Sequence, residues 1–439
     1  MEINLVLLGI LGIVFLLVLM FMGVPIAFSF AFTGIVGSWY LIGLSPVLNM
    51  IGTSTYKMTA NYTWTVLPLF MLMGQVAGEA ELTGDAYRTA RKWVGQLRGG
   101  LALATTAASS LFAAICGSVL ATTITMTKIA WPEMKKNNYK PGLSLGSILC
   151  AGSVSSLIPP SIPFVIYAMI VEESVGRLFI GGIFPGIILS ISIALTVFFW
   201  VRISPESGPA AETALWPERL RSLKKVWSVL LLIVIIMGGI WGGIFTVNEA
   251  AGIGATGALI IGLAKRSISM KAFIRALRET ALMSGSMFIL IVCVQFFNTF
   301  LTLTGLPVQL ANWVVGMDLS PMMVLIVILL IYIILGIPLE MPPVLLLTLP
   351  IFVPLLEGMG IDKVWFGILS TITISLAAMT PPVGAPLFVV HNLVRDDGIP
   401  LSIIFNAAWI YCIPITITLI ICVIFPQLSL WLPATMFAN

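Results

Sequence analysis

Apolar residues in this chain come in long unbroken runs, without the strict alternation of a half-buried strand. Mainly apolar stretches of about 20 residues or more fall near 4–22, 24–44, 61–80, 100–131, 143–171, 178–201, 227–245, 249–264, 281–301, 322–356, 365–391 and 402–426. A run of that length predicts an α-helix crossing a bilayer. Hydrophobicity that is continuous, with no two-residue period, excludes a membrane β-barrel. Two runs, 100–131 and 322–356, are too long for one upright span and too interrupted for one helix.

Composition agrees with the pattern. The 439 residues are 59% hydrophobic and 9% charged, against about 25% charged in an average soluble domain, so most of the surface must face lipid. The first run has no basic leader and no small-residue cleavage site, and another follows at once; a retained helix is expected, not a removable signal peptide. The five cysteines lie inside apolar runs without a C-x-x-C pair, and His391 is the single histidine, so no disulfide frame, zinc site or haem is indicated. No organic cofactor and no nucleic-acid partner are expected.

Charge placement orients the spans. Basic residues cluster in Arg88–Arg98, Lys135–Lys140, Glu218–Lys225 and Lys265–Arg278, which puts these connections in the cytoplasm. Connections 45–60, 172–177, 303–320 and 357–363 hold at most one Lys or Arg each and read as the outer face. Run 100–131 has basic flanks at both ends, so it must enter and leave on the inner side as a re-entrant hairpin. Run 322–356 has outer flanks at both ends and is a second hairpin opening the opposite way. About ten full crossings and two oppositely oriented hairpins then leave both termini outside.

The chain also repeats itself. "LTGDAYRTARKWVG" from Leu82 and "LTGLPVQLANWVVG" from Leu303 share Leu, Thr, Gly, Ala, Val and Gly at an offset of 221 residues. Pro159-Pro160 meets Pro381-Pro382, and Pro132 meets Pro354, at 222. Two related halves therefore flank the basic linker 202–226. Equivalent loops lie on opposite faces, so the repeat is inverted, as in secondary transporters, whose sites form where matched helices are interrupted at mid-membrane. The units expected are 1–98, scaffold helices of the first repeat; 99–201, its transport region with hairpin 1; 227–320, scaffold helices of the second repeat; and 321–439, its transport region with hairpin 2.

Proline removes an amide donor and clashes with the carbonyl four residues back. Backbone freed in this way is tolerated in a bilayer only inside protein or along a wet cavity. Freed carbonyls beside hydroxyls suit a hard cation such as Na⁺. The first half offers a tip with Gly117, Ser118, Thr122 and Thr123 facing "SVSSLIPPSIP"; the second offers "GIPLEMPP" facing "AAMTPPVGAP". The plainer reading of such small and hydroxyl residues is helix packing; matched placement in both halves favours a site. Glu340, the acid deep in hairpin 2, either helps hold a cation or caps the helix beginning at Met341. Asn248-Glu249 read as an N-cap and first-turn acid, His391 as an interfacial residue, Asp396-Asp397 as loop acids, and Trp216, Trp227, Trp241 and Trp431 as interfacial anchors.

"GVPIAFSFAFTGIVG", "GSVSSLIPPSIPFVIYAMIVEESVGRLFIGGIFPG", "GGIFTVNEAAGIGA" and "FGILSTITISLAAMTPPVGAPLFVV" closely resemble the large membrane subunit, M or DctM-like, of tripartite ATP-independent periplasmic (TRAP) transporters. The resemblance runs from about Gly23 to Val390. It implies an all-α integral protein of the bacterial inner membrane: an inverted-repeat, elevator-type importer of small organic acid anions (carboxylates or sulfonates), driven by two or more Na⁺. It also implies two partners, a periplasmic substrate-binding protein and a small four-helix Q subunit, here expected as a separate chain. Carried over by motif, one Na⁺ site comprises Gly117, Ser118 and Thr122 with Gly152, Ser153 and Ser156. A second comprises Leu339 and Glu340 with Met379, Thr380 and Gly384. Ser155, Pro159, Pro160, Ser161, Pro381 and Pro382 are the expected substrate contacts. Two positions depart from the family pattern: Val119 stands where a second tip serine is common, and Glu340 where an Asp is usual.

The competing classes are a passive channel and an intramembrane enzyme. No P-loop and no cluster of catalytic groups occurs in the sequence, so an enzyme is not expected. Within transporters, the alternative is a stand-alone inverted-repeat cation–anion symporter that needs no binding protein.

Overall fold

A computed structural model describes residues 5–436; residues 1–4 and 437–439, which include the first residue of the predicted span 4–22, lie outside the described residues. The chain opens with α1 (Leu5–Phe21), α2 (Ile26–Ile42), α3 (Leu44–Thr59), α4 (Val66–Glu79) and α5 (Leu82–Val94). Then come α6 (Gly100–Cys116), α7 (Val119–Lys136), α8 (Pro141–Ser153), α9 (Ile162–Val171) and α10 (Val175–Ile203). The second half comprises α11 (Trp216–Trp241), α12 (Val247–Ala264), α13 (Met270–Thr304), α14 (Leu306–Val315), α15 (Pro321–Gly336) and α16 (Met341–Gly358). It ends with α17 (Lys363–Met379), α18 (Ala385–Val394), α19 (Leu401–Ile424) and α20 (Gln427–Ala434). No strand occurs among the described residues.

Six helices, α10, α11, α12, α13, α16 and α19, are each long and apolar enough to cross a membrane as one piece. Much of the rest is built from interrupted helices: α8 with α9, and α17 with α18, are spans cut at the Pro-Pro pairs. The hairpins are α6–α7 and α15–α16.

The two halves match element by element. α2 and α12 start 221 residues apart, α7 and α16 222, and α9 and α18 223. Pro132 and Pro354 occupy the same turn of α7 and α16. Both Pro-Pro bonds are cis.

Four connections expected to be loops contain helix. Segment 45–60 is α3, segments 82–98 and 303–320 carry α5 and α14, and α13 begins at Met270 inside the predicted loop 265–278. The 35 residues of α13 reach roughly 50 Å at 1.5 Å per residue, well beyond a hydrocarbon core of about 30 Å. Its basic first third, with Lys271, Arg275 and Arg278, therefore projects beyond the lipid. The equivalent stretch of the first half is bent instead into α3 and α4. The linker is likewise partly helical, since α11 begins at Trp216. Thr246, not Asn248, caps α12, in a reciprocal pair with Glu249. Asn248 instead fastens that helix to the Tyr62 carbonyl and to Thr65.

The core lies among α8, α9, α10, α15, α17 and α19, where Tyr167, Phe366, Tyr332 and Tyr411 are wholly buried. Lipid-type side chains cover the outside: Trp216, Trp227, Trp241 and Trp431 are all exposed. All five cysteines are free and buried. At the cytoplasmic end the linker straps across the first half through Gly99 N–Gly208 O (2.8 Å), Ala211 N–Gly95 O (2.9 Å) and Lys140 N–Ser207 O (3.0 Å).

Candidate functional site

Hairpin 1 turns within two residues. Gly117 takes φ +63°, a left-handed conformation that costs a residue with a Cβ about 1–2 kcal/mol. Ser118 is extended, and its Oγ accepts from Ala121 N to cap α7. The tip is docked on break 1: Ile162 N donates to Gly117 O at 3.2 Å, and a Cβ on Gly117 would collide with the Pro160 carbonyl. One turn further, Thr123 Oγ1 lies against the Cα of Gly152, closer than any Cβ there would allow.

In break 1 the helix tightens to a 3-10 turn over Val154–Ser156 before Pro159-Pro160 ends it. Its serines answer the carbonyls that the break frees. Ser155 Oγ donates to Gly152 O (2.6 Å), Ser156 Oγ to Ser153 O (2.7 Å) and Ser161 Oγ to Ser156 O (2.6 Å). Thr122 and Thr123 differ: both are fully buried, and among the described residues their Oγ1 atoms have no hydrogen-bond partner. An unpartnered buried hydroxyl costs about 1–3 kcal/mol, so a group that accepts oxygen ligands fits here.

The halves interlock behind the tips. Ser156 Oγ and Ser375 Oγ are 2.8 Å apart, and Ser153 Oγ donates to Met379 Sδ at 3.3 Å. Break 2 runs from Thr380, whose Oγ1 donates to Leu376 O (2.9 Å), to Gly384, where α18 starts. Tip 2 is longer, spanning Ile337 to Glu340, and reaches the helix before break 2 through Gly336, which lies against Ala377 and Ile374. Pro342 and Pro343 sit in the first turn of α16, where amides have no helical acceptor, so they do not disrupt it. Glu340 occupies the N-cap position, but its side chain makes no capping hydrogen bond. Among the described residues it makes no ion pair either. Capping therefore does not account for this carboxylate.

Both tips and both breaks meet at one cavity of about 1180 Å³. Its wall includes Gly117 and Ser118 of tip 1, Leu339 and Glu340 of tip 2, Ile162 and Pro163 at the start of α9, and Ala385 and Pro386 at the start of α18. Its lining extends to Arg88, Arg91 and Glu133. These lie at the basic end of the bundle, so the cavity opens to the cytoplasm. On the opposite wall, Glu79 of α4 is held by Arg275 of α13 through two bonds of 2.8 and 3.2 Å.

The predicted residues divide between the wall and the packing behind it. Gly117, Ser118, Leu339 and Glu340 face the cavity. Ser155, Pro159, Pro160, Ser161 and Pro381 are buried behind the wall, and Pro382 is exposed but outside the cavity lining. Thr122, Gly152, Ser153 and Ser156 pack between tip 1 and break 1, while Met379, Thr380 and Gly384 form break 2. One charged residue of interest was not singled out by the sequence, and a second, Asp397, was read only as a loop acid. Lys128 of α7 lines the cavity. Asp397 accepts from Trp131 Nε1 at 2.6 Å and pairs with Lys135, fastening hairpin 1 to the end of α18. Lys128 stands one turn from Ile124 and Thr125 on the cavity face of α7, a spacing that could have revealed it; nothing in the sequence links Asp397 to a tryptophan 266 positions away.

Residues 13–428 match the family model described as "Tripartite ATP-independent periplasmic transporter, DctM component". A C4-dicarboxylate TRAP transporter large permease of Pseudomonas aeruginosa is 33% identical over 91% of this chain and 93% of its own length. A sialic acid TRAP transporter large permease of Vibrio cholerae is 30% identical, covering 94% and 96%. An isethionate TRAP transporter permease of Oleidesulfovibrio alaskensis is 30% identical over 84% of this chain and 58% of its own length. In three dimensions the chain resembles the Alcanivorax borkumensis YdaH transporter with a TM-score of 0.65, covering 88% and 90% of the two chains at 14% identity, a likeness of fold. These relatives are permeases and not enzymes. An inverted repeat of interrupted helices around an inward-open cavity, with a family match over nearly its whole length, identifies this multi-pass inner-membrane chain as a member of the DctM family, the large permease component of tripartite ATP-independent periplasmic transporters.

Proposed function

We propose that this chain is the permease of a Na⁺-driven importer of small organic acid anions, carboxylates or sulfonates. Its substrate is delivered by a periplasmic binding protein, and a small four-helix membrane subunit braces the chain. The observation that carries this reading is the single cavity in which two proline-broken spans and two hairpin tips converge. The substrates for which the relatives are named, C4-dicarboxylate, sialic acid and isethionate, supply the substrate class.

Na⁺ is cargo in this scheme. Gly117, Ser118, Thr122, Gly152, Ser153 and Ser156 form one candidate site, and Leu339, Glu340, Met379, Thr380 and Gly384 the other. Two features support them: the unpartnered Oγ1 of Thr122, joined by that of Thr123, and the unpaired carboxylate of Glu340. Among the described residues no group of three His, Cys, Asp or Glu could hold a metal ion. A hydroxyl and carbonyl donor set suits a hard monovalent ion. The moving unit is α6–α9 with α15–α18, and the scaffold is α1–α2 with α11–α12, the part that meets the small subunit. Each Na⁺ moved through 100 mV releases about 2.3 kcal/mol, so two ions balance a dianion and a further one drives its uptake.

The test is uptake of radiolabelled succinate, isethionate and N-acetylneuraminate into proteoliposomes holding this chain and its small subunit, with and without the binding protein, and with K⁺ replacing Na⁺. Uptake that needs both is expected. Uptake indifferent to the binding protein would establish the stand-alone symporter instead, and uptake indifferent to Na⁺ would refute both ion sites.

A further inference from the structure

Three cationic side chains line the cavity: Arg88, Arg91 and Lys128. Arg88 is engaged by Asp85 at 3.0 Å and by Glu81 at 3.7 Å, and Arg91 by Glu133 at 2.7 Å. Lys128 makes no ion pair or hydrogen bond among the described residues and is exposed to the cavity. It shares one face of α7 with Ala121, Ile124 and Thr125, all of which also line the cavity. Lys128 is ten residues from the tip serine, roughly 15 Å along the helix, between the mid-membrane tip and the basic end at Lys135 and Lys136.

An unpaired ammonium has four flexible carbons of reach and three donors to offer. Among the acids of the lining, Glu133 is held by Arg91 and Glu79 by Arg275. Glu279 of α13 and Glu340 remain unpaired among the described residues, so an anion leaving the tips for the cytoplasm passes acidic groups with one uncommitted cation beside them. From this arrangement we infer that Lys128 is an anion-docking residue of the exit path, taking the carboxylate or sulfonate of the cargo after it leaves the tips. The inference rests on the anion-importer reading above; the substrate charge it selects is set by hairpin 1, not by the binding protein alone.

Two measurements on the full chain test it. In the first, lysines are reductively ¹³C-methylated, which keeps their charge, in lipid nanodiscs. The Lys128 resonance is identified by its absence in Lys128→Met. Succinate and isethionate at constant ionic strength are expected to shift it saturably, and the uncharged succinamide is expected to leave it in place. No saturable shift with either anion, or an equal one with succinamide, overturns the assignment. In the second, proteoliposome efflux is followed from the cytoplasmic face. Lys128→Met is expected to raise the KM for succinate at least fivefold with kcat within twofold, Lys128→Arg to restore it, and Lys128→Glu to raise it further. Efflux kinetics of Lys128→Met equal to wild type overturn the inference while leaving the transporter intact. Wild-type protein that carries none of these anions, yet shows the saturable shift, refutes the transport reading and leaves the docking site standing.

Discussion

Gly117→Ala tests whether tip 1 is docked on break 1, because the structure assigns its cost to two separable sources. The first is backbone: at φ +63° an alanine loses about 1–2 kcal/mol. The second is steric, since the new Cβ meets the Pro160 carbonyl, a backbone group at the end of the Pro-Pro pair that cannot swing aside as a side chain can. Overpacking of this kind costs about 1–3 kcal/mol. Together they destabilise the docked tip by about 2–5 kcal/mol. Gly360→Ala isolates the first contribution, for Gly360 has φ +65° with nothing within 4 Å of a Cβ; it should cost about 1–2 kcal/mol. Gly52→Ala, in α3 with open space around it, removes both and should gain about 0.5–1 kcal/mol of helix stability. Thermal unfolding midpoints in nanodiscs should therefore rank Gly52→Ala at or above wild type, then Gly360→Ala, then Gly117→Ala. Uptake should be lost in Gly117→Ala alone. A Gly117→Ala protein that melts with or above Gly360→Ala would falsify the docking of the tip on Pro160.

Glu340→Gln should raise the Na⁺ concentration for half-maximal uptake tenfold or more, the effect of losing a charged contact worth about 1.5–3 kcal/mol; an unchanged Na⁺ dependence removes Glu340 from the ion site. A double-mutant cycle on Ser156→Ala and Ser375→Ala should return a coupling of about 1 kcal/mol in unfolding, and strict additivity would mean that the hydroxyls 2.8 Å apart do not hold the halves together. The Lys135 ammonium and the Trp131 indole hold the Asp397 carboxyl below its ordinary value of 3.8. Its contribution is therefore full above that value and is lost as pH falls through the lower folded-state pKa. Asp397→Asn should melt below wild type at pH 7 and converge with it on acidification below 3.8; a gap that persists under acid contradicts the sign.

Much of the architecture is a matter of local solvation, and local solvation is written in sequence. Lipid requires every backbone polar group to be satisfied within its own helix, so runs of about 20 apolar residues could only be helical spans, and Pro159-Pro160 and Pro381-Pro382 could only be breaks. Basic loops orient the spans, and an orientation conflict within the sequence marks both hairpins. The offset of about 222 residues likewise paired α7 with α16.

Tertiary structure decided what distance along the chain conceals. α3 is not legible as a helix because its polar residues resemble a loop; it packs against α2 and α13, and the half-equivalent stretch of α13 runs unbroken. Asp397 gained its meaning from Trp131, and Ser156 from Ser375, through contacts that no local pattern encodes. Of the Pro-Pro residues expected as substrate contacts, Pro159, Pro160 and Pro381 stand behind the cavity wall and Pro382 is exposed outside its lining, whereas the residues that follow them, Ile162, Pro163, Ala385 and Pro386, form it. A broken helix is a local event, fixed by a missing amide donor; which side chains face the cavity depends on how four broken or folded elements rotate against one another, and packing across the two halves alone sets that.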